Sequence, residues 1–354
     1  MKASLALGLS LLTAVSLRAA DIKWLHRDYD FGLMKEIAGP KTGTSSFINV
    51  GQDTISIVNV RPSCGCTSAD FSDAPIAPGD TAVFTYTYDP AMRPGKFMKT
   101  VRVKLSDGTS QSVKISGNVL GTPESLATLY PVEGGVFRLS DAVLDLGTVT
   151  YGRSPITFVN AYSMSLDSVY TYATAHNPAV VIKQSARKAG PGDIVTYSIN
   201  FDSRKHNVYG PVEIPVTVYA GDSDSATVAL RAFVVPDAEY LTLHQNGRTP
   251  VCEVIPGPVE LGMNLTRDGK PVTTKIQINN SGNGPLTPLR ICTKSPAVTI
   301  GKLPKAIKNG KSARIEIKTD LSMLDPGPFR IPIDIITDDP VHPHIVVDIV
   351  GSVR

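Results

Sequence analysis

The sequence predicts an all-β chain, three tandem immunoglobulin-like β-sandwiches behind an N-terminal signal peptide. Three observations carry that expectation. Glycine and proline are plentiful, 29 and 27 of 354 residues, and are spread along the whole length. Between them lie short runs in which apolar and polar residues alternate with the period of two that a half-buried strand requires. The same anchors also return in the same order at a spacing close to 115 residues, the signature of a repeated domain.

The chain opens with Lys2, an apolar stretch from Leu5 to Leu17 and a small-residue close at Ala19-Ala20. This is the pattern of a secretory signal peptide, so residues 1–20 are expected to direct export. No later apolar run approaches the roughly 18 to 20 residues needed to cross a bilayer, so the mature chain is expected to have no transmembrane segment. Of the 35 Lys and Arg, Lys2 and Arg18 fall in this leader, which leaves 33 basic against 32 acidic residues. So even a balance excludes a global electrostatic partner, and nucleic acid is not expected.

The repeat is read from its anchors. Phe31-Gly32, Leu146-Gly147 and Leu261-Gly262 stand 115 residues apart each time. Pro78-Gly79-Asp80 returns as Pro191-Gly192-Asp193 and, more loosely, as Asn309-Gly310-Lys311. Each copy closes on an apolar stretch: Ile115 to Val119, Leu230 to Val234, Ile349 to Val353. Within the copies, Thr81 to Tyr88, Ile194 to Phe201 and Ala313 to Lys318 read as strands, as do Thr100 to Leu105, Val212 to Val218 and Ile331 to Ile336. Pro215 and Pro332 cannot donate to a ladder, which predicts edge strands or bulges there. About seven short strands in roughly 100 residues describe an immunoglobulin-like sandwich. The expected domains are 21–121, 122–236 and 237–354, joined by connectors rich in proline and glycine near Gly121 to Pro131 and Pro236 to Pro256.

In the first copy Pro62-Ser63-Cys64-Gly65-Cys66-Thr67 is followed by Pro75 to Asp80, Tyr88-Asp89-Pro90 and Pro94-Gly95-Lys96-Phe97. Four elements in this order resemble the bacterial DUF1573 family of exported Ig-like domains. In the third copy, Thr337-Asp338-Asp339-Pro340 and the residues after it resemble the terminal hairpin of that family and of the wider group of MSP-like and ASH-like sandwiches. The resemblance implies a periplasmic or cell-surface protein and brings no activity with it. The later copies depart from it, with Ala173-Thr174-Ala175 and Thr293-Lys294-Ser295 where the first has its cysteines.

Cys64-Gly65-Cys66 is the candidate binding site, with three readings open. The two thiolates would hold a soft metal, copper as Cu(I) before zinc, since a closed zinc site needs about four ligands. They would form a redox-active disulfide across one residue. Or they are structural, in a bend that Gly65 permits. Cys252 and Cys292, 40 residues apart in an exported chain, are expected to form a disulfide tying the second connector to the third domain. His342-Pro343-His344 would place two imidazoles on one face of a strand, although the acidic neighbours Asp338 and Asp339 and the structural use of Pro343 favour a plain turn. Lys302, Lys305, Lys308, Lys311 and Arg314 recur every three residues and read as a solvated track. Asp53-Thr54-Ile55, Asp80-Thr81-Ala82, Asp167-Ser168-Val169 and Asp224-Ser225-Ala226 resemble short O-glycosylation sites of envelope proteins.

No nucleophile elbow and no metalloprotease helix occurs in the chain. The expectation is a non-catalytic structural or interaction protein without a cofactor, whose partner is an envelope protein or a surface glycan. The alternative is a copper-binding or thiol-redox protein working through Cys64 and Cys66.

Overall fold

The computed structural model describes residues 21–354, so the expected leader, residues 1–20, lies outside the described residues. The fold is all-β. By contact the chain divides into two compact units. The first runs to Tyr130 and takes in Tyr162–Ser168 and Ala189–Ile194; the second holds Pro131–Ala161, Val169–Lys188 and Val195–Arg354.

The first eight strands are β1 (Ile22–His26), β2 (Tyr29–Lys35), β3 (Lys41–Asn49), β4 (Ile57–Pro62), β5 (Thr67–Phe71), β6 (Thr81–Tyr88), β7 (Gly95–Leu105) and β8 (Ser110–Leu120). They form two four-stranded sheets, ordered β1-β3-β6-β5 and β2-β8-β7-β4. Alternate residues of both sheets face one core, in which Phe47, Phe84, Tyr86, Val101 and Ile115 are each at most 1% exposed. Each such side chain contributes about 1.5 to 3 kcal/mol by leaving water. The buried Tyr86 hydroxyl is satisfied, bonding the Ser45 hydroxyl at 3.0 Å and donating to Thr44 O at 3.1 Å. Where β2 runs parallel to β8, its register slips between Asp30 and Leu33. Gly32 sits in that bulge at a φ of 66°, a left-handed conformation that costs other residues about 1 to 2 kcal/mol.

The first connector holds a helix, α1 (Pro123–Leu129). Thr122 caps it by accepting from Ser125 N, and Pro123 occupies its first position. Next come β9 (Val132–Glu133), β10 (Phe137–Leu139), β11 (Val143–Thr150), β12 (Ile156–Ser163), β13 (Val169–Thr174), β14 (Val180–Gln184), β15 (Lys188–Ala189), β16 (Ile194–Phe201), the short α2 (Ser203–His206), β17 (Gly210–Ala220) and β18 (Asp224–Val235). Their sheets are ordered β14-β16-β12-β10-β9 and β11-β18-β17-β13-β15. The second connector holds α3 (Ala238–His244), capped by Asp237, which accepts from Tyr240 N.

The last eight strands are β19 (Cys252–Val254), β20 (Val259–Leu265), β21 (Val272–Asn280), β22 (Pro288–Cys292), β23 (Val298–Ile300), β24 (Ser312–Thr319), β25 (Gly327–Thr337) and β26 (His344–Val353). Their sheets are ordered β19-β21-β24-β23 and β20-β26-β25-β22, strand for strand the order of the first pair. The middle sheets repeat it too, with β9 and β15 added at edges. The parallel pairing of β2 with β8 recurs in β11 with β18 and β20 with β26, each carrying a register slip. Gly147 and Gly262 lie at those slips with positive φ, which is why the Gly anchor recurs in the sequence.

The prolines correct one expectation. Pro215 and Pro332 lie in β17 and β25, which are interior strands. They are tolerated because the strand on one side stops short: β13 pairs only with Thr217 to Ala220, and β22 only with Asp334 to Thr337. Pro215 faces Ala229, whose N–H donates to Ala142 O on the far side, so no ladder bond between these two is lost.

No helix among the described residues is long and apolar enough to cross a membrane.

Candidate functional site

Cys64, Gly65 and Cys66 occupy the short crossover between β4, an edge strand of one sheet, and β5, an edge strand of the other. The cysteines are joined in a disulfide with their Cα atoms 5.3 Å apart. Backbone bonds hold the crossover from both ends. Ser63 N donates to Thr100 O on β7 at 2.9 Å, and Asp89 N donates to Cys66 O at 2.9 Å. The two sulfurs lie 3.7 and 3.8 Å from the Thr67 hydroxyl. Cys66 is 7% exposed and belongs to the core, whereas Cys64 is partly accessible and Gly65 is exposed.

Gly65 does not do what its residue type suggests. Its φ is not positive, and a Cβ placed on it would meet no atom within 4 Å. The bend therefore does not depend on glycine. As a bonded pair the sulfurs present no thiolate to a metal; reduction would free two.

The expected disulfide between Cys252 and Cys292 is corrected by the structure, in which both are buried free thiols. Cys252 sits on β19, paired with Asn280, while Cys292 sits on β22 in the other sheet, paired with Asp334. Each has its own neighbours. Cys252 lies beside Asp339, whose Oδ2 accepts the Cys252 N–H at 2.8 Å, and burial pushes its thiol up to about 12. Cys292 lies where its Sγ would stand 3.0 Å from a Cβ on Gly210, and burial raises its thiol as well.

The two imidazoles of His342 and His344 turn to different partners. His344 Nε2 lies 2.8 Å from Asp334 Oδ1 and its ring packs on Phe233, with centroids 4.6 Å apart. His342 Nδ1 stands 3.9 Å from Asp339 Oδ2. The neighbouring aspartates organise the hairpin. Asp339, 0% exposed, accepts from Val341 N and His342 N as well as Cys252 N. Asp338 accepts from Thr287 N at 2.6 Å, and burial raises its carboxyl above the ordinary range. The track of Lys302, Lys305, Lys308, Lys311 and Arg314 is exposed throughout.

One carboxylate escaped the sequence reading. Glu36, 9% exposed, accepts from Met92 N at 2.7 Å, Thr122 N at 3.0 Å and Ser125 Oγ at 2.6 Å, joining the end of β2 to the cap of α1. Tyr162 adds its hydroxyl, accepting from Gly121 N at 2.9 Å. Thr122, Pro123 and Ser125 were the available signal, as a cap with proline behind it.

Residues 22–119 match the family model described as "Protein of unknown function (DUF1573)". The matched residues take in β1 to β7 and nearly all of β8, including the Cys64–Cys66 crossover. No curated protein matches the chain. Among solved structures, a protein of unknown function from Porphyromonas gingivalis W83 is similar at 17% identity and a TM-score of 0.49, over 62% of this chain and 100% of that one. The ASH / PapD-like domain 7 of human CEP192 is similar at 10% identity and a TM-score of 0.25, over 29% of this chain and 87% of that one. Drosophila N-cadherin EC1-4 is similar at 12% identity and a TM-score of 0.22, over 95% and 76%. None of these likenesses bears on activity.

Proposed function

We propose that the protein is an exported, non-catalytic structural or interaction protein of the cell envelope, built from three Ig-like sandwiches at 21–121, 122–236 and 237–354, and binding an envelope protein or a surface glycan. The observation that carries this reading is the sheet order that recurs three times, each time with short strands at open sheet edges. An edge strand offers unpaired N–H and C=O groups to which another chain adds by β-augmentation. Export is supported by the leader-like segment Met1 to Ala20 and by the closed Cys64–Cys66 bond, which suits an oxidising compartment. The reading needs no cofactor.

The test is co-purification from the native envelope after mild cross-linking, with the wild-type chain and with Cys64→Ser/Cys66→Ser side by side. A partner held by both chains is the expected result. A partner lost from the folded double variant would move the function to the cysteines.

That second reading rests on the accessibility of Cys64 beside an exposed Gly65. A small thiolate would reach that sulfur, and reduction would release two thiolates suited to thiol exchange or to Cu(I). Mass spectrometry after mild reduction, with and without copper, separates it from a static bond. A bond that resists reduction until the protein unfolds would leave only the structural role.

A further inference from the structure

We infer that the outer face of the sheet β2-β8-β7-β4, around Arg61 and Arg102, is a binding surface for an anionic polysaccharide. This inference rests on the interaction reading above and, of its two partner classes, names the glycan and its charge.

Arg61 on β4 stands directly opposite Arg102 on β7. Residues so placed have Cβ atoms about 4.5 to 5.5 Å apart, and like charges there destabilise a sheet. Two further cations surround Arg102. Lys104 lies two residues along the same strand and so on the same face, and Lys114 on β8 pairs with Thr100, one diagonal away. All four side chains are exposed, and among the described residues none has an ion-pair or hydrogen-bond partner. On the other side of Arg102 its register partner is Ser112, whose carbonyl accepts from Arg27 Nε at 3.2 Å and Nη2 at 3.1 Å. A third guanidinium therefore stands at the end of the same row.

Three carboxylates border this block, each engaged with backbone. Asp28 Oδ1 accepts from Lys114 N at 2.8 Å, Asp30 Oδ1 from Gly32 N at 3.0 Å, and Asp107 Oδ1 from Thr109 N at 2.9 Å. None occupies Thr100 to Lys104 or the residues paired with them on β4 and β8.

The other two copies show that the fold does not require these cations. Gly95, Gly210 and Gly327 are equivalent by register, pairing with Val119, Val234 and Val353. Counted from them, Arg102 corresponds to Thr217 and Asp334, and Lys114 to Ala229 and Asp348. Arg61 corresponds to Thr174 and Cys292, which face Thr217 and Asp334. The second copy is uncharged at these places, and in the third the aspartates are matched by His344 and Arg330. Uncompensated charge on this face belongs to the first copy alone.

Arg102 and Lys104 lie about 6.6 Å apart along the strand, and the cations spread over three rows, more than one small anion can engage. The ligand they suit is a polyanion. A guanidinium holds a carboxylate, sulfate or phosphate through two parallel N–H donors. Between the cations the face presents Thr100, Ser110, Ser112 and Asn59, which suit sugar hydroxyls. No apolar residue of these rows is exposed; Val58 and Met98, the nearest that are, lie beyond them. A protein interface is built on an apolar core, and a bilayer-adsorbing face on apolar side chains that enter the lipid, so this block favours the glycan over either.

Binding of the full chain to immobilised polygalacturonate and dextran sulfate, with uncharged dextran as blank, tests this. Wild type is expected to be held by at least one of the charged polymers, not by dextran, and to be released as added salt screens the contact. Arg61→Gln/Arg102→Gln is expected to raise the Kd about tenfold or more while the thermal midpoint stays at or above wild type, because opposed charges have been removed. Lys302→Gln/Lys305→Gln, which removes the same charge from the exposed track of the third copy, is expected to leave the Kd unchanged. No binding by wild type, equal loss in both double variants, or tighter binding to poly-glutamate or to vesicles of phosphatidylcholine with phosphatidylglycerol overturns the inference. If neither polymer is held while native co-purification still yields a partner, this inference falls and the interaction reading stands.

Discussion

Gly32 and Gly65 are both conspicuous in the sequence, yet the backbone asks different things of them. Gly32 occupies a left-handed bulge with its N–H bonded to Asp30 Oδ1, so Gly32→Ala is expected to cost about 1 to 2 kcal/mol, read from the urea midpoint. Gly65 has ordinary backbone and open space where a Cβ would go, so Gly65→Ala is expected to shift stability by less than about 0.5 kcal/mol. A larger loss there would mean that the crossover is more constrained than its geometry indicates. Cys252 adds a dependence on pH. Burial pushes its folded thiol up to about 12, well above an ordinary thiol, so the unfolded chain loses that proton first. The contribution is fully present below about pH 9 and is lost as pH rises towards about 12, by at most about 1.4 kcal/mol per unit. Cys252→Ala should flatten that alkaline decline in urea midpoints; an unchanged slope would assign it to other groups.

At the scale of elements, the connectors are more ordered than their proline and glycine content suggests. Glu36 binds the cap of α1 through Thr122 N and Ser125 Oγ, so Glu36→Gln, which replaces one acceptor oxygen with a donor amide, is expected to cost about 1 to 3 kcal/mol. Equal urea midpoints for wild type and variant would remove Glu36 from the account. Strands and their order of appearance were legible in the sequence because side-chain alternation is local; the glycine anchors were legible as a repeat, but not as the register slips they occupy. The reach of neighbouring strands was not legible either. Pro215 and Pro332 read as edge residues because a proline reports a missing donor; whether the strand beside it has merely stopped short is a tertiary fact. The capped helices α1 and α3 were legible at Thr122-Pro123 and Asp237, but the connector composition outweighed these signals. Cys252 and Cys292 illustrate the converse, since spacing and export favoured a bond, while the fold leaves each as a buried free thiol among its own neighbours.

Across the whole molecule, recurrence is the main fact. The 115-residue period in the sequence corresponds to one sheet order used three times, and that recurrence makes positions comparable that no motif connects. The candidate crossover at Cys64-Gly65-Cys66 could be located from the sequence, whereas the packing of Ile194 on Gly95 and of Cys292 on Gly210 could not, because it joins residues far apart in the chain. The central claim is that the chain works through its surfaces rather than through a reaction. The most direct test places a photo-crosslinking residue at the exposed Val58 on the edge strand β4 in the producing cell, with a second chain carrying it at the exposed Met98 on the interior strand β7 as a control. A discrete adduct is expected from position 58 and not from position 98. No adduct from position 58 in a folded protein, together with loss of its cellular effect in Cys64→Ser/Cys66→Ser, would contradict the claim.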